Sequence, residues 1–235
     1  MSYFTIRLYP ISMKILCIGD LHLPFEHIDA YDFIKEIHAS FKPDKVIYIG
    51  DEIDYHSFNF HEKEVDEMFS PAEELELSIE RLQRYYELTP SAVVCESNHG
   101  SLVYRRAKFN GLPRYVIKSY QDLLQTPRWT WKDRICMDDV YYYHQTSGQA
   151  SFACRTVGKS VVQGHNHTKM GIEYIQNEHK LMFSAYTGCL IDRERYAFKY
   201  ARANIQKPAL GLLLVTDGIP TICPMILNAK GRWNG

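Results

Sequence analysis

The sequence predicts an α/β domain, and three features carry that prediction. Short β-branched apolar runs alternate with helical patterns through the first half of the chain. Those runs break off at polar residues of one chemical kind: Asp, Asn and His. The second half is denser in strand-like than in helical segments. A strand-helix-strand order implies parallel strands with a right-handed crossover, and ligands in such sheets gather at the carboxyl ends of the strands.

Residues 14–18 form the first apolar run, ending in Gly19-Asp20-Leu21-His22. Residues 29–41 show helical spacing at Phe33, Ile34, Ile37 and Phe41, closed by Lys42-Pro43-Asp44. Residues 45–49 are the second strand, which stops at Gly50 with Asp51 directly after it and Asp54 three residues further on. A buried strand that delivers a carboxylate to its sheet edge makes Asp51 the central candidate for a metal ligand. Residues 55–69 read as an irregular loop over that edge. Ser70-Pro71-Ala72-Glu73 announces a helix, with serine as N-cap, proline at the first position and glutamate placed to bond back to the cap.

The third strand, 92–95, runs into Glu96-Ser97-Asn98-His99-Gly100. Helical patterns cover 102–109 and 114–124, interrupted by Asn110-Gly111-Leu112-Pro113. From Trp129 onward the texture is β, with strands expected at 140–143, 160–162, 171–175, 181–184, 210–215 and 219–222. Asp217-Gly218 between the last two is a hairpin signal.

The chain has 235 residues, enough for one large domain. We assign 13–235 to that domain and 1–12 to a peripheral N-terminal extension. Net charge is −1, from 27 basic and 28 acidic residues, so no global basic field draws the protein to nucleic acid. The six cysteines are widely spaced with no Cys-x-x-Cys pair, which reads as reduced thiols and a cytoplasmic location. No apolar segment approaches membrane-spanning length, so no membrane partner is expected.

Five polar clusters follow strand-like runs: Asp20-Leu21-His22, Gly50 to Asp54, Ser97-Asn98-His99, His144, and Gly164-His165-Asn166-His167. Taken singly, each residue reads as a turn residue capping a strand. As an ordered set they read as metal ligands, because oxygen and imidazole donors without thiolate suit Mn²⁺, Fe or Zn²⁺ in a reactive centre. The set resembles the calcineurin-like metallophosphoesterase superfamily, whose pattern is D-x-H, GDxxD, GN-H-[D/E], a lone H and GHxH. The match runs in order from Asp20 to His167.

That resemblance implies a sandwich of two mixed β-sheets flanked by helices, with a dimetal site at the strand-end loops. It places one ion on Asp20, His22 and His167 and a second on Asn98, His144 and His165, with Asp51 bridging; for both ions Mn²⁺ is the first expectation, with Fe or Zn²⁺ as alternatives. It implies in-line attack on phosphorus by a hydroxide between the ions, with His99 as general acid or charge stabiliser and Asp54 orienting His99. Residues 210–227 are then expected to complete the second sheet. Three positions depart from the pattern. Ser97 replaces a glycine, Gly100 replaces an acid, and Tyr55 stands where the Ser/Thr protein phosphatases of the superfamily carry arginine, which argues against that branch.

Arg105 and Arg106, with Lys108 and Arg114, form the basic cluster nearest a motif. As substrate contacts, Arg105 and Arg106 would bind phosphate oxygens, and Tyr55 and Tyr104 would stack on a base; the bland alternatives are a solvated helix face and core packing. His27, His56 and His61 are expected on solvated loops. The expected substrate is a small phosphomonoester of the nucleoside monophosphate type. A nuclease acting on DNA or RNA is the alternative, and a non-catalytic scaffold on the same fold is the competing class. Oligomeric state is not legible.

Overall fold

The computed structural model describes residues 12–58, 69–145, 148–192 and 205–235, so the N-terminal extension as far as residue 11, most of the 55–69 loop and His61 lie outside the described residues. Strand β1 (Lys14–Ile18), helix α1 (Ala30–Phe41) and strand β2 (Lys45–Tyr48) form the expected unit, with β1 and β2 parallel. Helix α2 (Pro71–Leu88) leads to β3 (Val93–Cys95), parallel to β2, and β4 (Thr130–Lys132) adds to β3. The helix α2 start is as read from sequence: Glu73 N–H donates to Ser70 Oγ, and Ser70 N–H donates to the Glu73 carboxylate at 2.8 Å.

The second sheet holds β5 (Ile135–Met137), β6 (Val140–Tyr143), β7 (Ser160–Gln163), β8 (Met170–Gln176) and β9 (Leu181–Thr187), in the order β5-β6-β7-β9-β8. The alternation of side chains along β1 builds two cores at once. Ile15 and Cys17 meet Tyr142, Val162 and Phe183 of the second sheet, whereas Leu16 and Ile18 meet Phe33, Leu82 and Tyr85 under the helices. Each fully buried Leu, Ile or Phe in these layers stabilises the fold by about 1.5–3 kcal/mol.

Three expectations need correction. The C-terminal hairpin, β10 (Gly211–Thr216) and β11 (Ile219–Pro224), does not complete the second sheet. It joins the first, whose order is β11-β10-β1-β2-β3-β4, because β10 pairs antiparallel with β1. Asp217 at its turn accepts hydrogen bonds from Ser12 Oγ at 2.9 Å and Met13 N–H at 2.8 Å, which locks the hairpin to the start of β1. The β texture of the second half is broken by helix α5 (Ala150–Val157), which ends on Gly158 in the left-handed conformation and covers the outer face of β7. The 114–124 segment is not one helix: a 3-10 turn at Arg114–Val116 gives way to extended Ile117 before helix α4 (Tyr120–Leu124). Helix α3 (Leu102–Phe109) stands as expected.

Candidate metal centre

Five strand ends deliver the predicted residues to one place. Because β1, β2 and β3 are parallel, Asp20, Asp51 and the Asn98-His99 pair leave the first sheet at one edge. Because β6 and β7 are parallel, His144 and the His165–His167 turn leave the second sheet together. The two groups then bond across the seam: His165 N–H donates to Asp20 at 3.0 Å, and His144 Nδ1 donates to the Ile49 carbonyl at 2.8 Å.

The turns that do this are tight. Asp20, His22, Asp51, Tyr55 and His165 all have positive φ, between 50° and 65°. Each such residue costs about 1–3 kcal/mol, a load that gathers at sites the surrounding structure over-determines. Gly50, at φ 91°, admits no side chain, since a Cβ there would sit 2.7 Å from Ser97 Cβ and 2.9 Å from the Cys95 carbonyl.

Asp20, His22, Asp51 and His167 each offer a donor atom within 4.8 Å of the others. Asp51, His144 and His165 form a second such group, so the Asp51 carboxylate belongs to both. Asn98 Oδ1 joins the second group, 2.7 Å from His144 Nε2 and 3.1 Å from His165 Nδ1. In the first, His22 Nε2 and His167 Nε2 meet at 3.0 Å, with Asp51 Oδ2 3.4 Å from His22 Nε2.

Tautomers follow from the partners. A carbonyl or carboxylate oxygen only accepts, so His144 carries its proton on Nδ1 toward Ile49, and His22 on Nδ1 toward Asp54 Oδ1 at 2.5 Å. In the neutral imidazoles both Nε2 lone pairs then face the acids, which is how ligating histidines are held. Burial pushes the Asp51 carboxyl up, yet His144, His99 and His22 hold it well below the usual carboxylate range. Burial disfavours charge on His144, but Asp51 at 3.2 Å overrides that and lifts its pKa to about 9. Burial lowers His22. Convergent oxygen and imidazole donors, buried acids and pinned imidazoles fit two transition-metal ions.

His99 sits at the rim with 27 % of its side chain exposed. Its Nδ1 donates to the backbone carbonyl of Asp54, while the Asp54 carboxylate lies 3.3 Å away and is engaged more closely by His22. Burial opposes charge on His99, but Asp51 and Asp54 outweigh it and raise its pKa.

The expected substrate contacts divide. Arg105, exposed on α3, donates to the Asn98 carbonyl at 2.6 Å and so stands beside the donor groups, with Arg106 the next residue on the same helix. Tyr55 is 1 % exposed inside the main core and forms no surface on which a base could stack. Tyr104 turns to its own neighbours, donating to the Lys118 carbonyl at 2.7 Å beneath the Arg114 guanidinium.

The calcineurin-like phosphoesterase family model matches residues 13–181. The chain belongs to that family. Calcineurin-like phosphoesterases are hydrolases of phosphoester bonds built around a dimetal centre, and the Asp/His groups above are the candidate for it. Among solved structures the chain is similar to Vps29 of Chaetomium thermophilum, at 9% identity and TM-score 0.48 over 94% of this chain and 92% of that one. It is similar to YfcE, a phosphoesterase from E. coli, at 12% identity and TM-score 0.44 over 95% and 97%. Vacuolar Protein Sorting 29 of Cryptosporidium parvum gives 13% identity and TM-score 0.43 over 90% and 96%. No curated protein matches the chain.

Several participants were not legible in the sequence. Glu74, in the first turn of α2, accepts from His56 N–H at 2.6 Å and Ser57 N–H at 2.7 Å, fixing the segment after Asp54. His56 is therefore not on a solvated loop; its Nδ1 lies 3.8 Å from Asp54 Oδ2. His27 is also buried, with Nε2 donating to the Gly231 carbonyl at 3.1 Å. Glu52, buried and bonded by Trp131 Nε1 at 3.2 Å, has an oxygen 3.4 Å from where a Cβ on Gly100 would stand. It thus brings a carboxylate next to the position where the family pattern carries its acid.

Proposed function

We propose that this phosphoesterase holds one ion with Asp20, His22 and His167 and another with Asn98, His144 and His165. Asp51 would serve both, and the bond cleaved is a phosphate ester of a nucleotide-type substrate. The observation that supports this most is the Asp51 carboxylate, which is common to both donor groups. Mn²⁺ is the ion we propose first; the oxygen-and-imidazole donor set suits it and suits Fe or Zn²⁺ as well. When bound, the ions neutralise phosphoryl oxygens and acidify water.

The chain's own residues supply the rest. His99, fixed through Nδ1 and biased towards its protonated form, presents Nε2 for charge stabilisation and proton transfer to the leaving oxygen. Asp54 positions both His22 and His99. Arg105 and Arg106 offer charge to the substrate at the edge of the site. The assignment of 13–235 to one domain is supported by the hairpin that returns to β1. Six free thiols support a cytoplasmic location. Among the described residues no helix is long and apolar enough to cross a membrane.

The test is hydrolysis by the Mn²⁺-loaded chain of p-nitrophenyl phosphate, bis-p-nitrophenyl phosphate, nucleoside monophosphates, dinucleotides and DNA. Asp51→Asn should reduce turnover by at least about a thousandfold, in line with transition-state electrostatic losses. Full activity in that variant, or no hydrolysis of any ester by the wild type, refutes the proposal.

A further inference from the structure

We infer that the face formed by α3 and the turn after it binds a single strand of nucleic acid leading into the metal centre. From Ser97 to Gln121 the chain carries five basic residues, Arg105, Arg106, Lys108, Arg114 and Lys118, and no acidic one. This stretch begins inside the candidate site, at Asn98 and His99, and Arg105 bonds back to the Asn98 carbonyl. Aromatic rings interleave with the charges: Phe109 is 78% exposed and Tyr115 87%. Cations with exposed rings among them match the two needs of an unpaired strand, phosphate neutralisation and base stacking.

The face is also braced. Arg114 lies 3.3 Å over the Tyr104 ring, and Tyr104 Oη donates to the Lys118 carbonyl, so the 114–118 segment is tied to α3. The backbone that carries Tyr115 is thereby fixed relative to α3, which lessens the ordering that binding would require.

Other occupants fit less well. Duplex DNA offers no free base faces to Tyr115, and the net charge of −1 provides no wide field for it. Leu112 and Val116 in the turn are half exposed as well, but a lipid surface needs a helix with its apolar side turned out, and Leu102 and Ala107 of α3 are buried while Val103 packs on the core. A second copy meeting across a twofold axis would oppose five cations with five.

This inference rests on the phosphoesterase reading for the fate of the strand but not for its binding. The test is fluorescence anisotropy of a phosphorothioate-linked dT20 with the full chain and Mn²⁺. Hydrolysis of p-nitrophenyl phosphate by the wild type is measured in parallel. We expect binding that weakens with salt, a loss of about tenfold in Tyr115→Ala, and a salt slope lower by about one in each of Arg114→Glu and Lys118→Glu. Circular dichroism and the thermal midpoint confirm folding of each variant. Unchanged affinity in all three folded variants overturns the inference. So does capture by phosphatidylserine vesicles without capture of dT20, or wild-type ester hydrolysis with no strand binding. A bound strand with no ester hydrolysed would instead count against the catalytic reading alone.

Discussion

Asp54 Oδ1 lies 2.5 Å from His22 Nδ1, closer than to the histidine it was expected to serve. One carboxylate thus sets the tautomer of a candidate ligand, while the backbone carbonyl of the same residue holds His99. Asp54→Asn leaves that carbonyl in place and should act mainly through His22. The expected outcome is a 10- to 100-fold (order of magnitude) loss of metal affinity, the usual scale for a removed ligand partner. Isothermal titration with Mn²⁺ checks it, and unaltered affinity with reduced turnover would assign the carboxylate to His99 instead.

Gly50→Ala should destabilise the fold by about 1–3 kcal/mol, because φ 91° and the approach of Ser97 Cβ and the Cys95 carbonyl leave a methyl nowhere to go. At this chain length that is a fall of roughly 2–12 °C in Tm. A thermal midpoint equal to the wild type would mean the turn after β2 is softer than its contacts imply.

Glu74→Ala removes the acceptor of two backbone N–H groups, at His56 and Ser57. Leaving such donors unmet costs about 1–3 kcal/mol each where water does not reach them. Hydrogen exchange at Ser57 should accelerate well before global unfolding, and exchange that tracks the wild type would place the restraint elsewhere.

Asp29 gives a pH-dependent case. Hydrogen bonds from Arg232, set against its own burial and aided by the Trp233 N–H, hold its pKa down to about 2. A carboxyl depressed in the folded state stabilises the fold above its unfolded pKa of 3.8 and loses that contribution as pH falls towards 2. Asp29→Asn should therefore be less stable than wild type at pH 6, with the gap closing below about pH 4. Urea midpoints across that range measure it; a gap independent of pH would make the contact one of shape and not of charge.

That these residues gather in one place was legible because a buried strand that ends in Asp, Asn or His has few reasons to do so, and five such ends in order reinforce one another. What escaped the sequence was choice among partners. The apolar run of β10 specifies burial but not which sheet receives it, and the answer lies in pairing with β1, some two hundred positions away. His27 looked solvated because its acceptor, Gly231, is 204 residues distant. Asp54 is close in sequence to neither His22 nor His99, so spacing gave no ranking between them. Helix α5 is only eight residues long, too short for periodicity to outweigh its surroundings, although Gly158 marked its end.

The seam between the sheets has a consequence for assembly. Asp51 belongs to the first sheet and His144 and His165 to the second, so ions gripped by both would add a fastener to the apolar contact and the His165–Asp20 and His144–Ile49 hydrogen bonds that already join the halves. Free energy of ion binding then becomes free energy of docking, about 2.7 kcal/mol when the ion stands at a hundred times its dissociation constant. Chelation would withdraw that contribution from the contact of β6 and β7 with β1 and β2.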